Sequence, residues 1–512
     1  MLVKVYGAAI QGLEAIPVTI EVNASRGIKF FLVGLPDSAV KESHERIISA
    51  IENSGYEFPS KRIVVNMAPA SIRKEGSGYD LPLAIGILAT QGSVRTDRLE
   101  RFMMVGELSL DGSIQPVTGA LLMAIKARAL GYEGLIVPEQ NVCEAAVVNQ
   151  LKVYGASHIR QVIDFLNGED SLTPKILDTR KDFYEKQALH EFDFADVKGQ
   201  EHVKRALEVA AAGGHNLIMI GPPGSGKSMM AKRLPSILPP LSLAESLETT
   251  QIHSVAGKLG KDTTLIAQRP FRAPHHTISQ VALVGGGANP QPGEISLAHN
   301  GVLFCDELPE FSRAALEVLR QPLEDRVINI SRAKYTITYP CSFMFVASMN
   351  PCPCGYYNDP NKTCVCTPGQ IQRYLNKISG PLLDRIDLQI EITPLSFQEL
   401  SQKEKGESSA AIRERVIKAR AIQSERYAPY KGIHCNAQMN SKLLHLYATP
   451  SESCLELLRQ AMNRLQLSAR AYDRILRVAR TIADLEGSAQ IETHHVAEAI
   501  GYRNLDRSNW GE

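Results

Sequence analysis

At 512 residues the chain exceeds one ordinary hydrophobic core, so two to four domains are the starting expectation. With 44% hydrophobic and 22% charged residues it has a globular composition, and a formal net charge of +1 excludes nucleic-acid binding through bulk polyelectrolyte attraction. No stretch approaches the roughly 18 apolar residues that cross a bilayer, and the N-terminal MLVKVYGAAIQGLEAIPVTIEV lacks a signal-peptide pattern, so a cytoplasmic protein without a membrane partner is expected. Thiols stay reduced in that compartment. Isolated Cys143, Cys305, Cys341, Cys435 and Cys454 therefore read as small buried hydrophobes, and clustered cysteines as metal ligands before disulfides.

Residues 1–168 mix β-like runs (VKVYGAAI, IPVTIEV, KFFLVGL, RIVVNMA, GLIVPE) with the helical patterns SAVKESHERIISAIENSG and TGALLMAIKARALG, which predicts an α+β domain. Residues 169–190 are polar, contain a proline and show little periodicity, as a linker does. Over 191–395 apolar strands alternate with helices, the pattern of a parallel sheet covered on both faces. Residues 396–512 are almost wholly helical and predict a small helical domain. The fold class expected is α/β multidomain.

GPPGSGKS, residues 221–228, matches G-x-x-x-x-G-K-[ST] between the buried strand NLIMI and the helix MMAKRLPSIL. Gly221, Pro222, Pro223, Gly224, Ser225 and Gly226 would turn backbone N–H groups onto phosphate oxygens. Lys227 would reach the β- and γ-phosphates of ATP and Ser228 would hold Mg²⁺. His275 and His276 follow, with too few partners in view for a metal site. ALVGGGANPQPGEIS, residues 282–296, reads as an inserted loop with hinges at Gly285 to Gly287. In GVLFCDELPEF the strand ends on Asp306, a second Mg²⁺ anchor, and Glu307, placed to polarise the attacking water.

EDRVINISRAKYTITYP, residues 324–340, alternates on both sides of a basic tip carrying Arg332 and Lys334, a β-hairpin whose charges either grip nucleic-acid phosphates or merely keep a turn soluble. CSFMFVASMN ends on Asn350, whose amide would orient water or sense the γ-phosphate. In GPLLDRIDL, Arg385 would complete charge neutralisation in the transition state or else pair with Asp384 or Asp387. Residues 411–432 form a basic helical stretch, weak support for nucleic acid. Arg470, Arg474, Arg477 and Arg480 recur at helical spacing, so they also fit one solvated face.

CPCGYYNDPNKTCVC places Cys352, Cys354, Cys364 and Cys366 in two C-x-C pairs around a turn-rich segment. Residues two apart on an extended chain share a face, so the pairs can close on tetrahedral Zn²⁺; free thiols and a redox switch are the other readings. The position between Asn350 and Arg385 reads as a staple on the interface side of the domain, so chelation should loosen ring assembly or turnover and leave the P-loop intact.

VKGQ, GPPGSGKS, CDE, ASMN, LLDRID and SARAYDRILRVARTIADL resemble an AAA+ ATPase. RPFRAPHHTISQVALVGGG and PGEISLAHNGVLFCDELPEF are similar to the magnesium-chelatase-like branch, and closest to the ComM (YifB) family. The resemblance covers the whole chain. It implies Walker A at Lys227 and Ser228, Walker B at Asp306 and Glu307, sensor 1 at Asn350, a trans-acting arginine finger at Arg385 and the sensor 2 arginine at Arg470 on a helical lid. It also implies a homo-oligomeric ring, usually a hexamer, and a DNA-dependent ATPase driving branch migration during recombination of incoming DNA, with single-stranded and branched DNA as partners. In the related branch that includes the MCM helicases, a hairpin before sensor 1 points into the ring channel, which favours the DNA reading of Arg332 and Lys334. A chelatase-type motor remodelling a protein partner is the alternative.

GELSLDGSIQPVTGALLMAI and KEGSGYDLPLAIGIL resemble the Lon protease domain, which suggests an ATP-dependent protease. A Ser-Lys dyad needs both partners. Gly78 or Tyr79 stands where the serine belongs and Leu121 or Leu122 where the lysine belongs; Ser77 in a shifted register restores only the serine. The N-terminal domain is therefore expected to keep the fold without the protease chemistry.

Overall fold

Strand alternation and helix caps become definite elements in a computed structural model, which describes residues 1–287, 290–331, 336–357, 359, 362–394, 406–465 and 467–503. The chain divides into two units, one of residues 1–186 and 243–267, the other of 187–242 and 268–512. The expected core of 191–395 thus gives up 243–267 to the first unit, and most of the expected linker belongs there too.

The first unit is built on a seven-stranded sheet. Its strands are β1 (Leu2–Gln11), β2 (Glu14–Ser25), β3 (Phe30–Val33), β4 (Arg62–Ala68), β5 (Phe102–Met104), β6 (Gly134–Pro138) and β7 (Lys152–Ala156), in the order β3-β4-β2-β1-β5-β6-β7. Val3 and Val5 pair with Val22 and Ile20, so the period-two pattern puts one buried face on each strand. Helices α1 (Ser38–Asn53), α2 (Asp80–Ala89) and α3 (Ala120–Ala129) complete the α+β fold, and every residue of α2 is buried. Gly86 lets α2 approach the sheet, since a Cβ there would lie 2.8 Å from both Val5 and Val22.

Helix Leu243–Val255 is held in this unit by polar contacts: Ser254 Oγ donates to Glu144 at 2.7 Å, the same carboxylate accepts from Leu121 N at 3.0 Å, and Gly119 N donates to Ser254 O at 3.1 Å. Within the stretch read as a linker, helix Thr179–Gln187 forms around one anchor, Phe183, which is buried; a single apolar residue gives no periodicity to read.

The second unit holds a five-stranded parallel sheet. Its strands are β8 (Leu217–Ile220), β9 (Phe271–Arg272), β10 (Val302–Cys305), β13 (Met344–Met349) and β14 (Leu388–Glu391), ordered β9-β10-β13-β8-β14, while β11 (Val327–Ser331) and β12 (Thr336–Pro340) form a separate antiparallel hairpin. LIMI, VLFC and MFVASM are buried at every position, as a sheet covered on both faces requires. Helices α4 (Glu201–Gly213) and α5 (Lys227–Ile237) share one core with the C-terminal helices α6 (Ser409–Tyr427) and α7 (Ala469–Glu486). Among the described residues no helix is long and apolar enough to cross a membrane.

Candidate functional site

At the C-terminal edge of the parallel sheet β8 runs into the glycine-rich turn and α5 starts at Lys227. Gly224 and Gly226 take φ of 79° and 87°, where a side chain would be strained. The buried Lys227 Nζ donates to Gly221 O at 2.7 Å, Pro222 O at 2.8 Å and Asn350 Oδ1 at 3.2 Å. Burial pulls its pKa down, opposed by the Asp306 and Glu307 carboxylates. Carbonyls are weaker partners for an ammonium than a phosphate oxygen, so the amine can exchange them for an anion in the same turn.

The neighbouring strands bring the carboxylates to this amine. β10 pairs with β13 with Cys305 opposite Ala347, which puts Asp306 beside Ser348. Asp306 accepts from Ser228 Oγ at 2.7 Å, from the Ser348 hydroxyl and from Glu307 N at 3.1 Å. Glu307 sits in the left-handed region with φ 53° and ψ 51°, a strained conformation for a non-glycine residue that turns its side chain away from the strand. His276 Nδ1 lies 3.7 Å from Glu307 Oε2 and its ring lies against His275, tilted by 33° at 4.1 Å between centroids. Ser348 escapes the sequence reading, and His276, weighed there only as a metal ligand, is not placed beside Glu307 by it. The only signals for them are the serine two residues before Asn350 and the histidine pair after a strand that becomes β9.

Asn350 leads directly into the cysteine loop. Cys352 Sγ lies 3.3 Å from Cys354 Sγ and 3.7 Å from Cys364 Sγ, Cys354 Sγ lies 3.6 Å from Cys364 Sγ, and all four ligand atoms fall within 4.8 Å of one another. A tetrahedron of sulfurs about 2.3 Å from a zinc ion has edges of about 3.8 Å. The spacing fits that cage. Burial opposes ionisation of Cys354, but the backbone N–H groups of Tyr356 and Val365 pull its thiol down to about 6, while the sulfurs crowded around them push the Cys364 and Cys366 thiols up.

The loop also touches the nucleotide turn. Gly355, at φ 86°, lies so close to Pro223 that a Cβ would stand 2.6 Å from its Cδ. Gly355 thus brings the cysteine loop against the second proline of GPPGSGKS.

The arginines gather at the other end of the sheet. Leu217 pairs with Leu388 and Ile220 with Glu391, so a segment preceding Leu388 lies at the foot of the strand whose top carries the P-loop. Asn216 fixes that foot, donating from Nδ2 to Arg385 O at 3.0 Å and from its backbone N to Asp387 Oδ2 at 3.2 Å, and accepting from Phe345 N at 2.9 Å. Arg385 pairs with Glu324, not with Asp384 or Asp387, and donates to Pro381 O at 2.5 Å. Arg470 Nη1 donates to Asp384 at 2.7 Å and is 71% exposed, whereas Arg474 bonds the buried Asp387 and Arg480 bonds Asp484 and the Ala489 carbonyl. The four arginines are not one solvated face.

Arg332 and Lys334 lie outside the described residues. The strands before and after them in sequence pair from Val327↔Pro340 to Ser331↔Thr336. The glycine-rich segment forms a short antiparallel ribbon, Gly285–Gly286 with Gln291–Pro292, joined to the hairpin by Tyr339 Oη donating to Pro290 O at 2.8 Å. In the first unit the Ser77 hydroxyl donates to Glu107, Tyr79 precedes α2, and Leu121 and Leu122 are buried in the first turn of α3. Lys74 is buried too, its amine donating to the carbonyls of Pro69 and, at 2.8 Å, Ile72.

A parallel sheet with a phosphate turn, an acidic strand end and a polar neighbouring strand end defines a P-loop nucleotide-binding protein, and comparison with known families narrows the class. Residues 193–400 match the family described as magnesium chelatase, subunit ChlI, residues 406–503 match its C-terminal family, and residues 20–141 match the family described as subunit ChlI of Mg-chelatase. The chain is 47% identical to competence protein ComM of Haemophilus influenzae, covering 99% of this chain and 98% of that one. It is 45% identical to the YifB protein of Salmonella typhimurium over 99% of this chain and 98% of that one. A shorter likeness, 32% identity over 28% of this chain, relates it to 27% of Lon protease 2 of Bacillus subtilis. The class is a magnesium-chelatase-type AAA+ protein, for which ATP and Mg²⁺ are the implied cofactors. Within that class the chain belongs to the ComM/YifB family.

Proposed function

We propose that the chain is a ring-forming ATP hydrolase that uses the energy of hydrolysis to move along DNA. The observation that carries the hydrolase reading is the interlocked set Lys227, Ser228, Asp306, Ser348 and Asn350 at one edge of the sheet. Gly221 to Gly226 cradle the phosphates, Lys227 leaves its carbonyl partners for the β- and γ-phosphates, and Glu307 orients the water that attacks the γ-phosphorus. Ser228 and Asp306, already hydrogen-bonded to each other, would hold Mg²⁺, which when bound neutralises phosphate charge. Asn350 reports the γ-phosphate through its contact with Lys227.

Arg385 and Arg470 serve a neighbouring subunit in this reading. Four strand residues at about 3.3 Å each separate the foot of β8 from its P-loop, so Arg385 cannot turn to its own triphosphate without unfolding the strand end. An arginine supplied in trans is worth about a thousandfold or more in rate. A closed ring, a hexamer by family resemblance, puts each foot against the next cradle.

Two features support DNA as the track. The strands on either side of the basic sequence Arg332 to Lys334 are tied to the glycine-rich ribbon through Tyr339, and a full-length relative is named a competence protein. Branch migration of single-stranded and branched DNA during recombination is the specific activity we assign. The four cysteines hold Zn²⁺ as a structural ion, on the strength of the sulfur spacing. The second reading, a chelatase-type motor acting on a protein partner, is favoured by the family match over 193–400. Proteolysis has no matching dyad: Ser77 is engaged by Glu107 and the first lysine of α3 is Lys126.

ATP turnover of the purified protein with and without single-stranded and branched DNA tests the reading. Stimulation by DNA that is lost when Arg332 and Lys334 are replaced by alanine, with nucleotide affinity unchanged, is expected. No response to either DNA, together with tight binding to a protein partner, selects the second reading.

A further inference from the structure

The seven-stranded sheet of the first unit buries one face completely: Val3, Val5, Ile20, Val22, Ile63 and Val65 lie in one core with residues of α1 and α2. The opposite face is covered only at one end. There the Tyr132 ring, just past α3, lies 5.6 Å from that of Tyr6, and a Cβ on Gly119 would stand 2.8 Å from Ile10. Toward the edge strand β3 the same face stays open, with Leu2 59%, Phe31 41% and Val33 50% exposed.

The strand register shows which side chains meet on this open half. Phe31 pairs with Val64, Val64 with Asn23 and Asn23 with Leu2, one row across β3, β4, β2 and β1. Arg62 precedes Val64 by two residues and so shares its side of the sheet. Lys29 precedes Phe31 by two, and its carbonyl still accepts from Ile63 N at 2.9 Å, so the strand alternation reaches it. The Arg62 guanidinium lies over the Phe31 ring, 5.2 Å from its centroid. Arg26 and Lys61, in the adjoining turns, are exposed as well. The carboxylate in the next row, Glu21, is already engaged by Lys4 at 3.5 Å and by Asn66 Nδ2 at 3.0 Å. The positive charge around Phe31 therefore keeps its call on an outside anion.

Resting on the motor reading for the kind of strand, we propose that this open half-face, centred on Phe31 and Arg62 with Lys29 beside them, binds single-stranded DNA. An exposed ring takes a base on its flat side while neighbouring cations take the phosphates, which is how sheet surfaces hold single strands. Duplex bases are stacked on one another and offer no free face to Phe31. Lysine is depleted from contacts between proteins, so a second protein is the poorer fit to this mixture of ring and cations.

The test titrates a short fluorescent oligothymidylate into the full chain without nucleotide, followed by anisotropy at several salt concentrations. Phe31→Ala should weaken binding about tenfold, within the worth of one base stacked on an aromatic ring, and Phe31→Trp should retain it. Arg62→Gln combined with Lys29→Gln should flatten the slope of log affinity against log salt by about 1.4, the share of two phosphate contacts on a single strand. Tm should stay at the parent value in all of them, because these side chains are exposed. The proposal is overturned if Phe31→Ala and the double variant bind the strand as the parent does, or if duplex DNA loses as much affinity as the single strand. Tighter binding of oligouridylate than of oligothymidylate would overturn DNA as the occupant. A changed sedimenting mass with strand affinity intact would make the face a contact between copies, and would overturn it too. The motor reading fails separately, when DNA leaves the ATP turnover of the parent chain unchanged; failure of this surface alone leaves that stimulation in place.

Discussion

The two ends of the parallel sheet carry complementary chemistry in contrasting states. At the top, Lys227 is answered within the same chain by two carbonyls and Asn350, and Asp306 by two hydroxyls and a backbone N–H. At the foot, among the described residues, the Nε atoms of Arg385, Arg474 and Arg477 are all enclosed without hydrogen-bond partners. The top is a finished cradle that lacks an arginine; the foot is an arginine cluster that lacks an anion. On the proposed reading a single chain carries two halves of a hydrolytic site, set a strand length apart, which a second copy would bring together.

The largest effect expected on this comparison comes from the top. Lys227→Ala should remove turnover entirely, a loss of at least about a hundredfold given the usual worth of one such electrostatic donor, and should also abolish nucleotide binding by equilibrium titration. Next comes the foot. Arg385→Ala should lower kcat by about a thousandfold with nucleotide affinity retained, since the guanidinium never touches its own triphosphate. Equal losses of nucleotide affinity in the two variants would erase the distinction between the ends.

A smaller effect is expected where the cysteine loop meets the cradle. Removing zinc with a chelator should weaken nucleotide binding by about tenfold, the consequence of losing one or two contacts' worth of order at Pro223. Gly355→Ala, strained at φ 86° and crowding Pro223, should give a similar loss while metal analysis still finds one zinc per chain. If the apo protein binds nucleotide as well as the zinc-loaded one, Gly355 merely rests on the turn.

Much of the top was legible because its chemistry lies in contiguous words. GPPGSGKS, CDE and ASMN each end a strand, and a parallel sheet brings strand ends together without any need to know the register. Ser348 and His276 were not legible, because their roles come from which strands are neighbours: β13 beside β10 for one, and β9 beside β10 for the other. The helical spacing of Arg470 to Arg480 was visible, but exposure was not, since a stripe of arginines reads as solvated until Asp387 is found buried beneath it. Helix Leu243–Val255 was placed with its sequence neighbours. Its true partners, Glu144 and Gly119, lie more than a hundred residues upstream, beyond the reach of local periodicity.

The first unit teaches a related lesson at the level of a whole domain. It has α2 and the apolar first turn of α3 where the sequence reading set the Lon resemblance, and part of the chain is similar to Lon protease 2 of Bacillus subtilis. A fold can outlast its chemistry.

The claim that one chain's foot completes another chain's cradle is tested most directly by mixing two inactive proteins. Lys227→Ala keeps its arginines and Arg385→Ala keeps its cradle, so in a mixed ring some interfaces unite an intact cradle with an intact Arg385. Co-assembled at equal concentration, the pair should recover a substantial fraction of wild-type ATP turnover, while each variant alone stays inactive. Mixed rings verified by cross-linking that remain as inactive as their parents would contradict the account.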